Sequence, residues 1–244
     1  MAASVPRYLD LADTLQGEIS DLAPNSLLPT EEQLARRFGV SRVTVRGALD
    51  LLEKSGLVSR LRGRGTTVSP SKITRRFAPL YSFERDLSEQ GIAFETQVLS
   101  FDAKVAAPTY VAERLQLSEK TTVGSLALVR VVDDRIVCHD QRYYPGEIAS
   151  RMDPGRIEME DASRVLEDLA GAAIVDVDWE SEIVSAPGPV ASALGIVPRT
   201  LVVANTYTWQ VEGGMPAEAG VISYRIDRCK FRYEATFGCA PRAT

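Results

Sequence analysis

Cysteine, histidine and long apolar runs are scarce here, and each scarcity excludes something. The three cysteines, Cys138, Cys229 and Cys239, are far apart and form no Cys-x-x-Cys pair. That argues against a disulfide framework and against a zinc site, and fits a reducing cytoplasm. His139 is the only histidine, so no His-based triad and no His-rich metal site exists elsewhere in the chain. No apolar stretch approaches the roughly 20 residues a membrane span needs. The start, MAASVPRYLD, lacks a secretory apolar segment. A cytoplasmic protein without membrane contact, metal or cofactor is expected. Its 244 residues, 45% of them hydrophobic, suffice for two modest domains or one large one.

Charge is unevenly spread. The net value of −5 argues against nucleic acid. Residues 1–78, however, hold twelve Lys and Arg against eight Asp and Glu, a balance of +4, while the remainder carries −9. A basic first third on an acidic body suggests an anion-binding head and a separate module. The basic residues coincide with a patterned stretch, Ser41–Ser55. Ser41 can cap a helix, and Gly56 can stop it. Val45, Ala48, Leu49 and Leu52 recur at helical spacing on one face. Arg42, Val43, Arg46, Gly47 and Asp50 lie on the opposite arc. Two arginines a turn apart suit guanine acceptors in a major groove, and Val43 suits a thymine methyl. An amphipathic helix with a merely solvated charged face is the plain alternative.

The neighbourhood favours the DNA reading. Tyr8, Leu11, Ala12, Leu15 and Ile19 predict a helix over 8–20. Thr30 and Gln33 predict a capping box opening a second helix, with Glu31 and Glu32 at the positive end of its dipole. Leu34, Ala35 and Phe38 form its inner face, and Gly39-Val40 turns into the Ser41 helix. Two short helices joined by a tight turn form a helix-turn-helix. Beyond Gly56, Leu57–Leu61 and Thr66–Val68 are strand-like, and Arg62-Gly63-Arg64-Gly65 must turn between them. Arginine at such a tip can enter a minor groove or grip phosphate.

Residues 6–68 thus resemble the winged-helix DNA-binding domain of the GntR family of bacterial transcription regulators. The resemblance is carried by Leu28-Pro29-Thr30-Glu31, Phe38-Gly39-Val40-Ser41-Arg42, Thr44-Val45-Arg46, Gly56-Leu57-Val58 and Gly63-Arg64-Gly65-Thr66. It implies that Arg42 and Arg46 read or flank guanine, that Thr44 meets a phosphate and that Arg62 and Gly63 form the wing tip. With Thr30, Val43, Arg64 and Gly65 these make the expected DNA-facing set. Gly47 departs from the family's usual polar residue there.

Ser69–Ala78 is polar and basic, and is expected to be a connection in which Lys72, Arg75 and Arg76 are solvated. The body then alternates strands and short helices. Strands are expected over 94–105 and 174–184. Hairpins are expected across Asp133-Asp134 (123–132 with 136–144) and across Glu212-Gly213-Gly214 (201–210 with 216–226). Short helices are expected over 108–117, 163–170 and 189–194, and a last strand over 231–237. In 174–184, Val175, Val177, Trp179 and Ile183 alternate with Asp176, Asp178, Glu180 and Glu182, an acidic ladder read as a solvated sheet face. The fold class is α+β: an N-terminal winged helix-turn-helix (1–69), a connection (70–79) and a C-terminal antiparallel-sheet domain (80–244).

The body resembles the UTRA effector domain of the HutC branch of GntR regulators, with its chorismate-lyase-like fold. Ser82-Phe83, Val129-Arg130-Val131, Asp140 with Tyr144-Pro145, Ala193-Leu194-Gly195-Ile196 and Pro216-Ala217-Glu218 through Tyr224 carry the match. It implies an effector held between the two hairpins. Arg130 matches the arginine for the ligand's anionic group, and Asp140 an acidic residue that accepts from hydroxyls or amines. Glu218 and Tyr224 belong to the second wall, and Ser82 is a hydroxyl near a phosphate. With Phe83, Arg142 and Ser163 these make the expected effector-facing set. The family's second arginine is here Val132, and its Ser-Leu-Tyr is Asp161-Ala162-Ser163. Both changes remove phosphate-binding groups, so a carboxylate, zwitterion or amine suits the site better than a phosphosugar.

The sequence therefore reads as a homodimeric, effector-controlled repressor on a palindromic operator, without catalytic residues. The alternative is an enzyme of lyase-like fold fused to a DNA-binding head. His139 and Cys138, adjacent in a strand, point to opposite faces and cannot form a nucleophile–base pair. A DNA-binding architectural protein without effector leaves the size of the body unexplained.

Overall fold

The computed structural model describes residues 6–61, 65–70, 72–77, 82–118 and 120–233. The chain divides into two units between Ile73 and Thr74.

The first unit begins with α1 (Arg7–Ser20), α2 (Glu31–Phe38) and α3 (Arg42–Lys54). Local chemistry sets their ends. Thr30 and Gln33 close a reciprocal capping box on α2, and Gly39, at φ 63°, ends that helix in the left-handed region that favours glycine. Ser41 Oγ accepts from the Thr44 amide at 3.2 Å and caps α3. The apolar stripes of all three helices meet around Leu15, Leu34, Val45 and Leu49. Two strands follow, β1 (Val58–Leu61) and β2 (Gly65–Val68), antiparallel with Val58 opposite Val68 and Leu61 opposite Gly65. Arg62, Gly63 and Arg64 lie outside the described residues.

Gly47 has a packing role. A Cβ there would stand 3.4 Å from Tyr8 Cβ on α1, an ordinary van der Waals contact. Alanine therefore fits, and it removes the helix penalty of glycine. Gly47→Ala is expected to stabilise the first unit by roughly 0.5–1 kcal/mol, read as a higher urea midpoint at unchanged slope.

The second unit holds β3 (Ile73–Phe77), α4 (Phe83–Glu89), β4 (Glu95–Ala106), α5 (Thr109–Arg114), β5 (Thr122–Val132) and β6 (Arg135–Pro145). Then come α6 (Gly146–Ala149), α7 (Pro154–Met159), α8 (Ala162–Ala170), β7 (Ile174–Ser185), α9 (Gly188–Leu194), β8 (Leu201–Val211), β9 (Met215–Arg225) and β10 (Cys229–Tyr233). Six strands form one antiparallel sheet in the order β4-β5-β6-β9-β8-β7. The two expected hairpins, β5–β6 and β8–β9, are adjacent in it. Asp133 and Asp134 both have positive φ, as a two-residue hairpin turn requires. β3 pairs with β10 as a separate two-stranded sheet.

Three sequence expectations change. Ile73–Phe77 is a strand, and Arg75 is buried rather than solvated. Helices α4, α6 and α7 were not expected; they are seven, four and six residues long, too short for a periodic signal. β7 is an edge strand, so the acidic face is exposed as expected, but Val175 and Ile183 opposite are exposed too. Arg114 of α5 crosses the acidic ladder, 3.1 Å from both Asp178 and Glu180.

Candidate nucleic-acid interface and effector pocket

The outer face of α3 carries the expected DNA-facing residues in reach of one another. Val43 is 80% exposed. Arg42 is paired with Glu32, and Arg46 with Glu31 through Nε at 3.3 Å and Nη2 at 2.9 Å. The Arg46 hydrogen bond holds the Glu31 carboxyl below the ordinary glutamate range. The first-turn acids of α2 thus fan both arginines out along α3. Arg60 of β1 bonds Asp50 at 2.6 Å and the Arg46 carbonyl at 3.2 Å, which ties the first wing strand to α3. Thr30 Oγ1 accepts from the Gln33 amide, and Thr44 Oγ1 lies 2.9 Å from Ser41 Oγ. Gly65 is exposed, with φ 82°.

In the second unit, strand parity puts Arg130, Asp140, Arg142, Glu218 and Tyr224 of the expected effector set on one sheet face. Arg130 stands opposite Cys138, Asp140 opposite Ile222, and Arg142 opposite Gly220. These side chains form one buried network. Arg142 Nε donates to Asp140 Oδ2 at 2.7 Å, and its Nη1 is 3.6 Å from Glu218 Oε1. The Tyr207 hydroxyl reaches Glu218 at 2.6 Å and Asp140 at 3.2 Å. Burial raises the Glu218 pKa, although Arg142 opposes it.

Gly220 makes that reach possible. A Cβ there would meet the Gln141 carbonyl at 2.5 Å and the Tyr207 hydroxyl at 2.7 Å. Only glycine lets the phenol pass over β9. Gly220→Ala is expected to push Tyr207 off both carboxylates and cost about 1–3 kcal/mol in overpacking. Thermal unfolding of the variant checks this; an unchanged midpoint would refute it.

Helix α4 covers the network. Glu84 takes the Arg130 guanidinium, and Asp86 takes Arg75 and Arg76. Arg75 and Arg130 both lie over the Phe83 ring, at 4.6 and 4.9 Å from its centroid. Tyr224 meets Phe231 edge-on at 5.2 Å. Ser82 Oγ bonds Asp161 Oδ2 at 3.0 Å, and Asp161 Oδ1 accepts from the Ser163 amide at 2.9 Å and hydroxyl at 2.6 Å.

Two cavities adjoin this face, and Glu84, Ser163 and Trp209 border both. The inner one is about 30 Å³ and touches Ser82, Phe83, Arg142, Ser163 and Glu218. The outer one is about 870 Å³ and lies among α4, β4, α7 and α8, a volume suited to a metabolite. Arg130, Asp140 and Tyr224 border neither cavity; their side chains are spent on internal partners or packing. The sequence reading missed Glu84, Tyr207, Trp179 and Trp209. Its strand aromatics carried the ordinary signal of core residues.

Cys138 and His139 point to opposite faces of β6, and burial pushes the Cys138 thiol up to about 12, where it stays protonated at neutral pH. Among the described residues no group of three His, Cys, Asp or Glu could hold a metal ion, and no helix is long and apolar enough to cross a membrane.

A helix-turn-helix with a two-stranded wing, joined to an antiparallel-sheet unit with a metabolite-sized cavity, defines an effector-linked transcriptional regulator. Residues 7–68 match the family described as bacterial regulatory proteins, gntR family, and residues 89–230 match the UTRA domain. The chain belongs to this family, with a gntR head and a UTRA domain, and is a DNA-binding transcriptional regulator. It is 27% identical over 229 residues to the HTH-type transcriptional repressor NagR of Bacillus subtilis (strain 168), covering 93% of each chain. It is 30% identical over 142 residues to the mannosyl-D-glycerate transport/metabolism system repressor MngR of Escherichia coli (strain K12), covering 57% of this chain and 59% of that one. Among solved structures, PhnF from Mycobacterium smegmatis superposes with a TM-score of 0.60 at 23% identity, over 95% of this chain and 99% of that one.

Proposed function

We propose that this regulator is a cytoplasmic homodimeric repressor of a metabolic operon, released or retained at a palindromic operator by a small polar metabolite. Residues 1–69 form the reading head and residues 80–244 the effector and dimerisation domain. The observation that carries the reading is the α3 face, where Arg42, Val43 and Arg46 stand exposed together above a buried stripe. A palindrome needs two heads related by matching symmetry. The Asp161 carboxylate beside Ser82 and Ser163, and Val132 in place of a second arginine, favour a carboxylate, zwitterion or amine over a phosphosugar. The second unit acts as a sensor and not as a catalyst. Operator control then requires unequal effector affinity for the two arrangements of the heads.

Selection of bound sequences from a random duplex pool, at fixed near-physiological salt, tests the reading. A short enriched palindrome is the expected result. An unstructured pool, both alone and with added small-molecule extract of the source bacterium, would overturn it.

A further inference from the structure

We infer that the effector is a small organic cation, carrying an ammonium or guanidinium group and no phosphate, bound in the outer cavity between α4 and α8. The inference rests on the effector reading above and narrows it.

The arginines of the inner network, which could hold an anion, each already have a carboxylate of this chain. Arg130 holds Glu84, Arg75 holds Asp86, and Arg142 lies between Asp140 and Glu218. The amide end of α8 and the hydroxyls of Ser82 and Ser163 are taken by Asp161. An anionic ligand at the inner network would have to displace one of these internal carboxylates and leave it buried without a partner, at high cost.

The cavity wall repeats the same sign. It presents six carboxylates against two arginines, Arg85 and Arg164; Glu84, Glu89 and Glu160 are matched by Arg130, Arg85 and Arg156, which leaves Glu158, Asp161 and Glu167 against Arg164. Glu158 of α7 and Glu167 of α8 both line it, each with Oε1 accepting a backbone amide: Val98 at 2.8 Å and Ile174 at 2.9 Å. Those bonds fix both side chains as acceptors. Phe94 and Trp209 supply aromatic surface in the same wall, and a cation gains from an aromatic face as well as from a carboxylate. A concave wall with an excess of one sign favours ligands of the other.

The test uses the full chain and its melting temperature. Small molecules extracted from the source bacterium are split at pH 7 into fractions retained on a cation exchanger, retained on an anion exchanger, and unretained. The cation-retained fraction alone is expected to raise the melting temperature and to change operator affinity. In Glu158→Gln/Glu167→Gln both amide bonds can persist, since glutamine keeps the carbonyl acceptor. That variant is expected to melt like wild type without ligand, yet to need about tenfold more of the fraction for the same shift. Action in the anion-retained or unretained fraction would overturn the cation and leave the effector reading standing. No action in any fraction would overturn both.

Discussion

Asp86→Ala is expected to destabilise the second unit by about 3–5 kcal/mol, the cost of leaving a buried charge without its partner. Asp86 is fully buried at the core-facing side of α4. Its carboxylate takes the Arg75 guanidinium, the Arg76 amide at 3.1 Å, Arg76 Nε at 2.7 Å and Gln90 Nε2 at 2.8 Å. Arg75 is buried as well, with the Phe83 ring on one side. Truncating the acid strands that cation. The arginine cannot reach water without unseating β3 from β10. Replacing both charges together, as in Arg75→Met/Asp86→Leu, removes the stranded group and should recover much of the loss, because apolar pairs of similar volume often match buried ion pairs. Denaturant unfolding of the two variants separates the effects. If the single and double variants melt alike, the pair is not what fastens β3 to α4. The connection also matters for control, since β3 begins where the first unit ends.

What was legible in the sequence follows from how local each cause is. Thr30 with Gln33, Ser41 with Thr44 and the glycine at position 39 act within one helical turn, and they fixed α2 and α3 before any tertiary contact was known. Asp133-Asp134 and Gly213-Gly214 announced both central hairpins, whose turns need positive φ. Parity then placed Asp140 with Arg142 on one face. The remainder depends on contacts between distant positions. Arg75 and Arg76 look like a solvated connection until α4, itself without a periodic signal, brings Asp86 to them. Glu84 and Arg130 are 46 positions apart, and Ser82 and Asp161 are 79 apart. Tyr207 becomes part of the polar network because Gly220, on the neighbouring strand, leaves room for its ring. Pattern reading thus grouped one sheet face, of which Arg142 and Glu218 border a cavity while Arg130, Asp140 and Tyr224 border neither. It did not foresee that Arg75, Arg130 and Arg142 are each matched by a carboxylate of the chain.

Arg42→Ala and Arg46→Ala are each expected to weaken operator binding roughly tenfold to hundredfold, with a far smaller loss on random DNA. The magnitudes decide why the present partners do not prevent this. Glu31 and Glu32 hold the arginines in exposed ion pairs, which are weak and screened by salt. A bidentate contact to guanine in a desolvated groove is stronger. On the proposed reading the arginines would exchange carboxylate for base as α3 enters the groove. Because the two side chains sit a turn apart and would meet different bases, their losses should combine nearly additively in the double variant. Removing a rival carboxylate should act the other way, so Glu31→Gln is expected to tighten binding modestly. Anisotropy titrations at several salt concentrations read all of these. An arginine that contacts only bases leaves the salt slope nearly unchanged, whereas one that grips phosphate lowers it by about one. If both alanine variants bind the operator as wild type does while melting normally, sequence reading resides outside α3, and the pairing with Glu31 and Glu32 is merely a feature of the surface.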